Sequence, residues 1–262
     1  MPELPEVETV VQTLKGMILN TQITDVLIRY DLIRSREFEV IGQTIRNITR
    51  RGKYIIFHLD DYYMISHLRM EGKYFVKENE PFEKHEHIIF YLNDSRTLRY
   101  HDVRKFGTFD LIPKDLLEDF FTNLGPEPFS DEFTGEYLLL KARKKPVKNF
   151  LLDQSVVAGI GNIYVNEICF ITNLHPMRTV DTLSIDDMNR IVDATRKVLK
   201  KAIDLGGTTI RSYTSSLGVT GRFQNELLVH DKLGEDCPVC GSKITKIKVS
   251  GRGTYLCEDC QK

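Results

Sequence analysis

Hydrophobic positions along the chain change period twice, and the changes mark out its organisation. "PEVETVVQTLKGM" places Val7, Val10, Val11 and Leu14 on one face at helical spacing, which predicts an opening helix. Beyond it the period drops to two. The runs "QITDVLIRY", "TIRNITR", "KYIIFHL", "YYMISHL", "KYFV", "HIIFYL" and "TLRYHDV" predict short antiparallel strands of a sandwich or barrel. "RRGKY" and "NDSR" between them read as tight turns. At "NLGPEPFSDEFT", residues 123–134, small and turn-forming residues interrupt the alternation, and helical spacing follows. Its clearest instance is "SIDDMNRIVDATRKVLKKAIDLGG". There Ser184 predicts an N-cap with Asp187 three residues on, Ile185, Met188, Ile191, Val192, Val198, Leu199 and Ala202 form an apolar stripe, and Gly206 stops the helix.

The chain's 262 residues are enough for two ordinary domains with separate cores. No apolar run approaches the roughly 18 to 20 residues of a membrane-spanning helix, and the start lacks the basic-then-apolar pattern of a signal peptide. A cytoplasmic protein with no membrane partner is therefore expected. Net charge is −1, and the halves differ little: residues 1–123 hold 17 basic and 20 acidic side chains, the remainder 19 and 17. An anion-binding surface must come from local placement of Lys and Arg.

Four of the five cysteines form one pattern. "CPVC" and "CEDC" put Cys237, Cys240, Cys257 and Cys260 at the two-pair spacing of a tetrahedral site, predicting one structural Zn2+ whose four positions are all filled by thiolate. Cys169, in "ICFI", reads as a buried structural thiol. Between the pairs, "KITKIKVSGRGTYL" alternates Lys243, Lys246 and Lys248 and leads to Arg252 at a Gly-Arg-Gly tip, which suits a phosphate or groove contact. "VVAGIGNIYVNE" lacks the third glycine and the preceding strand of a dinucleotide loop. It reads instead as a Gly-rich turn between two helices, with Asn162 and the first amides of the second helix, and Lys148 on the first, forming an anion site; plain helix packing accounts for such a pair equally well. "SHLRMEGKY" and "HDVRKFGT" are structural residues if each stands alone. Together they offer an apolar wedge, Met70 and Phe106, and a cation, Arg104, as a protein that opens a duplex requires.

"PELPEVE", "RRGKY", "SHLRMEGKY", "DVRKFGT", "LGPEP", "VAGIGNIYV", "GRFQNELLVH" and "GRGTYLCEDCQ" occur in the order, and over the end-to-end extent, in which the formamidopyrimidine-DNA glycosylases carry them. The chain resembles that bacterial repair family. The resemblance implies an α+β fold: an N-terminal β-sandwich flanked by helices over 1–123, a linker over 124–134, a helical domain with a helix-two-turn-helix motif over 135–228, and a zinc hairpin over 229–262, with DNA in the cleft between them. It implies a monomer acting on double-stranded DNA that contains oxidised purines or abasic sites, on the bacterial nucleoid when bound. The reaction implied is base removal through a Schiff base, followed by β,δ-elimination.

The site residues follow the same way. In the family the initiator Met is removed and proline becomes the N-terminal nucleophile, here Pro2. Glu3 matches the general acid/base, and Glu6 is expected to orient the amine or a water. Glu8 is assigned only to the helix start, where an acid complements the dipole. Lys53 matches the lysine at the lesion phosphate; His67, Lys148, Asn162 and Arg252 match its other phosphate contacts. Met70, Arg104 and Phe106 match the void-filling triad, Arg104 facing the orphaned cytosine. "RSYTSSLGVTGRFQ" lies where the family has a closing loop, with Tyr213 as a phosphate or base contact. The rival readings are an endonuclease VIII-type glycosylase for oxidised pyrimidines, whose opening reads Pro-Glu-Gly-Pro where Leu4 stands here, and a zinc-dependent DNA-binding module without activity.

Overall fold

The computed structural model describes residues 1–30, 39–78, 80–208 and 221–262. They form two compact units that are not contiguous in sequence. One is Met1–Thr122 with the described residues of Gly206–Gly221; the other is Asn123–Leu205 with Arg222–Lys262.

The first unit begins with α1 (Leu4–Ile18), where Pro5 occupies the first turn. Among the described residues eight strands follow: β1 (Ile23–Ile28), β2 (Asn47–Arg51), β3 (Tyr54–His58), β4 (Tyr62–His67), β5 (Lys73–Lys77), β6 (Glu86–Leu92), β7 (Thr97–His101) and β8 (Thr108–Pro113), then the short α2 (Leu117–Phe120). They make two four-stranded sheets in the orders β1-β6-β7-β5 and β2-β3-β4-β8, with every pairing antiparallel. Val7, Val10, Val11 and Leu14 of α1 enter one core with Ile48, Ile55 and Phe57 of one sheet and Ile88, Phe90 and Leu98 of the other. Alternation fails as a guide only at β8. "TFDLIP" has too few apolar positions in alternation to declare itself, and it is a strand because β4 offers a free edge, with His67 opposite Thr108.

The second unit contains α3 (Gly135–Lys141), α4 (Val147–Leu152), α5 (Asn162–Ile171) and α6 (Ile185–Asp204), and a hairpin of β9 (Thr245–Val249) with β10 (Arg252–Leu256). Ser184 caps α6 through the Asp187 amide, and the Asp187 carboxylate returns to the Ser184 amide at 2.9 Å. Gly206 ends it in the left-handed region, φ +76. Ile185 does not join the buried stripe; it is exposed, as first-turn residues are before the helix meets its neighbours. α6 packs on α3 and α5. Shortness hides α2 and α3 from periodicity, since neither has two full turns over which apolar spacing could show. No described helix is long and apolar enough to cross a membrane.

Candidate functional site

The start of α1 is built from side chains that hold each other. Met1 is exposed while Pro2, Glu3, Leu4, Pro5 and Glu6 are buried. The Glu3 amide donates to Glu6 Oε2 at 2.8 Å, closing a capping box. Glu6 Oε1 accepts from the Thr208 amide at 2.8 Å and from Thr208 Oγ1 at 2.9 Å. Gly207, at φ +76, brings Thr208 in; a Cβ there would lie 2.8 Å from Glu6 Oε1. Glu6 was expected to orient an amine or a water. Its carboxylate grips Glu3 on one side and Thr208 on the other. Thr208 carries no signal in the sequence, because its role exists only after a segment 202 residues away returns.

Glu8, assigned to the helix start, does more than cap. It accepts from Arg50 Nε at 2.9 Å, and Arg50 Nη1 donates to the Gly52 carbonyl at 3.1 Å. This chain of bonds holds the two-residue turn between β2 and β3, Gly52-Lys53, against α1. Gly52 has φ +56, the left-handed first position that a tight hairpin of this kind needs. Lys53 is thereby buried at the turn. Across the sheet from it, His67 lies at the end of β4, opposite Tyr54 of β3. Burial, with Arg69 and Lys53 nearby, lowers the His67 pKa to about 3. Its Nδ1 accepts from the Arg69 amide at 2.9 Å. The neutral ring therefore carries its proton on Nε2, a donor suited to a phosphate oxygen.

Met70 and Phe106 are exposed by 36% and 52%, and the Arg104 guanidinium lies 4.7 Å from the centre of the Phe106 ring. Their loops meet at Tyr100. A Cβ on either Gly72 or Gly107 would overlap the Tyr100 hydroxyl, so each loop needs glycine where it crosses that ring. Asp102 holds the second loop. Fully buried, it accepts from the amides of Arg104, Phe106 and Gly107, each at 2.9 Å. An Asp at the mouth of a turn in "HDVRKFGT" is the signal that could have found it.

In the second unit Lys148 departs from expectation. It was expected to meet a phosphate, but it is 0% exposed, and its ammonium donates to Asn166 Oδ1 and Thr254 Oγ1 at 2.8 Å and to the Gly253 carbonyl at 3.2 Å. It struts the hairpin onto the helices. Asn166, on a helix face to which the sequence assigns no chemistry, links it to His230 Nδ1 at 2.7 Å; burial lowers the pKa of that imidazole to about 4 and keeps it an acceptor. Asn162 Nδ2 donates to the same Gly253 carbonyl at 3.2 Å, while its buried Oδ1 has no partner. Arg252 is exposed beside them. It is not the tip: the turn is Ser250-Gly251, φ +47 and +80, and Arg252 opens β10 opposite Val249. Tyr213 lies outside the described residues, as does most of the expected closing loop.

The Sγ atoms of Cys237, Cys240, Cys257 and Cys260 all lie within 4.8 Å of one another, with Cys237–Cys260 at 3.8 Å and Cys240–Cys257 at 3.4 Å. A zinc tetrahedron with bonds near 2.3 Å has edges of about 3.8 Å, so the four thiols fit that ion and leave no open position. Gln261 fixes one knuckle, accepting from the Cys257 amide at 2.9 Å and donating to the Leu174 carbonyl at 3.0 Å.

Three family descriptions match the chain in order: the formamidopyrimidine-DNA glycosylase N-terminal domain over residues 1–109, the formamidopyrimidine-DNA glycosylase H2TH domain over 124–214, and a zinc finger found in FPG and IleRS over 234–262. The formamidopyrimidine-DNA glycosylase of Bacillus licheniformis is 47% identical over the whole of both chains, and that of Bacillus subtilis 46% identical over 100% of this chain and 99% of the relative. Among solved structures, the wild-type Lactococcus lactis Fpg in complex with a N7-Benzyl-Fapy-dG containing DNA superposes with a TM-score of 0.94 at 43% identity over both full chains. The Lactococcus lactis Fpg with an abasic site containing DNA also gives 0.94 at 43%, covering 99% of each. The chain belongs to the formamidopyrimidine-DNA glycosylase family.

Proposed function

We propose that this DNA-repair glycosylase removes oxidised purines, 8-oxoguanine and formamidopyrimidines, from double-stranded DNA and then cleaves the strand at the abasic site. The observation that carries this reading is the start of α1: an exposed Met1 ahead of a buried Pro2, with Glu3 at its side held in place by Glu6. Removal of Met1 leaves the secondary amine of Pro2 at the positive end of the helix. An α-amino group titrates near ~8, and a neighbouring positive dipole favours its neutral, nucleophilic form.

The amine attacks C1′ of the flipped nucleotide, the bond from C1′ to the damaged base breaks with its electron pair leaving on the base, and the proton shed by the amine nitrogen ends on that base, which returns the nitrogen its lone pair. Glu3, protonated, gives its proton to the ribose ring oxygen as the ring opens, so that the nitrogen lone pair forms an iminium with C1′. The cation acidifies the C2′ proton. Its loss expels the 3′ phosphate, a second elimination expels the 5′ phosphate, and water releases Pro2 from the remaining sugar fragment. Met70, Arg104 and Phe106 fill the space of the extruded nucleotide, with Arg104 on the orphaned base. Lys53, His67, Asn162 and Arg252 hold phosphates of the damaged strand. Lys148 supports Asn162 and Arg252 through Gly253. One zinc ion on the four cysteines holds the hairpin in shape and takes no part in the reaction.

Borohydride reduces an iminium to a stable amine. With a duplex containing 8-oxoguanine, reduction should fix protein to DNA at Pro2. Pro2→Gly should weaken trapping, and Glu3→Gln should lower single-turnover excision by roughly 10²-fold or more while leaving binding intact. Binding of the lesion without any trapped adduct would contradict the proposal.

A further inference from the structure

One peptide plane carries both groups that the proposed reaction uses. The N–H of Glu3 and the carbonyl of Pro2 belong to the same planar unit. Fixing that N–H leaves the Pro2 nitrogen a single rotation, about its own Cα–C bond, and sets where the Glu3 side chain begins. The N–H donates to Glu6 Oε2 at 2.8 Å. This capping box lies within one turn of α1, and a carboxylate held through one oxygen still swings about its last bond. Here the second oxygen is taken as well. The Thr208 amide and Thr208 Oγ1 both donate to Glu6 Oε1, at 2.8 Å and 2.9 Å. Glu6 and Thr208 are each 4% exposed, so little water competes for these bonds.

Thr208 reaches that place through a crossing of two backbone segments. Gly221 lies so close to the turn before Thr208 that a Cβ on it would stand 2.4 Å from the Gly207 carbonyl oxygen and 2.9 Å from that of Gly206. The crossing aims both donors of one residue at one oxygen, which fixes the plane of the Glu6 carboxylate as well as its position. We propose that Thr208 is a positioning residue for the reaction: through Glu6 it holds the peptide plane from which the Pro2 amine and the Glu3 carboxyl both extend. The inference rests on the function proposed above, which makes Pro2 the nucleophile and Glu3 the acid. Thr208 makes and breaks no bond to the substrate. A misplacement of about 1 Å at a reacting atom can slow a reaction by roughly 10²-fold, so a modest loosening of that plane has a measurable cost.

The test uses the full-length protein freed of Met1 and a duplex with a single 8-oxoguanine. Excision is followed in single turnover at saturating protein, so that binding does not enter the rate. Thr208→Val keeps the amide and removes the hydroxyl; it should slow excision and borohydride trapping by about tenfold with Kd for the duplex unchanged. Thr208→Ala removes the same hydroxyl without the added methyl and should match it. Thr208→Ser keeps the donor and should stay within about twofold of wild type. Glu6→Gln puts an amide nitrogen, which cannot accept, in place of one oxygen. On that background Thr208→Val should add almost nothing, as expected of two residues acting through one contact. Urea unfolding of each variant verifies that folded protein is being assayed. Thr208→Val and Thr208→Ala as fast as wild type, Thr208→Ser as slow as Thr208→Val, or losses that multiply in the double variant would overturn the role of Thr208. Wild-type protein that binds the duplex and never yields a trapped adduct would instead count against the catalytic reading.

Discussion

Asp102 touches no substrate in the proposed reaction, yet the geometry of the wedge depends on it. One buried carboxylate organises three amides of a six-residue loop, and two of them belong to Arg104 and Phe106. Hydrogen bonds to a charged acceptor are among the stronger ones, and a buried N–H left without a partner costs about 1–3 kcal/mol. Asp102→Ala should therefore destabilise the protein by about 2–4 kcal/mol, read as a lower urea midpoint with little change in slope. Asp102→Asn keeps one oxygen in the turn and should lose less. Glu6 works the same way at the start of α1. Its position beside Pro2 was legible from the opening motif, but the Thr208 contact was not, since adjacency in sequence says nothing of what returns from far along the chain.

Among the elements, the β9–β10 hairpin shows how a small unit is made rigid. It has too few buried residues to stand alone; Val229, Cys237, Ile244, Tyr255 and Cys257 make a minor core with Phe170 of α5. Four clustered thiols placed to hold a metal ion supply the rest, and Lys148 pins the Gly253 carbonyl next to Arg252. Chelation of the metal should abolish DNA binding and open the hairpin, with amide exchange accelerating across Thr245–Leu256 while β3 and β4 keep their protection. Unchanged protection of the hairpin after verified metal loss would contradict this. The cysteine spacing announced the element plainly. Which lysines face solvent and which are buried was not announced, because Lys148 looks like any other helix lysine until Asn166, Thr254 and Gly253 converge on it.

For the whole molecule, buried imidazoles set the acid limit. Burial is the leading cause that lowers the pKa of His58, His67, His87, His101 and His230 below the usual 6.5. Unfolding restores the ordinary value, so between the two the unfolded chain binds protons that the folded chain does not, and stability falls as pH falls. The loss should begin near pH 6.5 and deepen toward about 4 to 3, the folded values of His230 and His67. Urea titrations at about pH 7.5, 6 and 5 should show unfolding free energies decreasing in that order. His67→Gln should flatten the trend over the same range; a stability that holds constant down to about pH 5 would refute the assignment.

Periodicity, turn residues and ligand spacing were sufficient by themselves for the opening helix, seven of the eight strands of the first unit, α6 and the four-cysteine centre. Each of these is specified by local rules: side-chain alternation, a cap, a knuckle. The same string also carried the motif order that names the family. Tertiary structure alone decided what the charged side chains do. Glu6 grips Thr208, Glu8 steadies the Lys53 turn through Arg50, and Lys148 is inside. A charge's role depends on which acceptors and how much water surround it, and those surroundings come from segments brought together only when the chain folds.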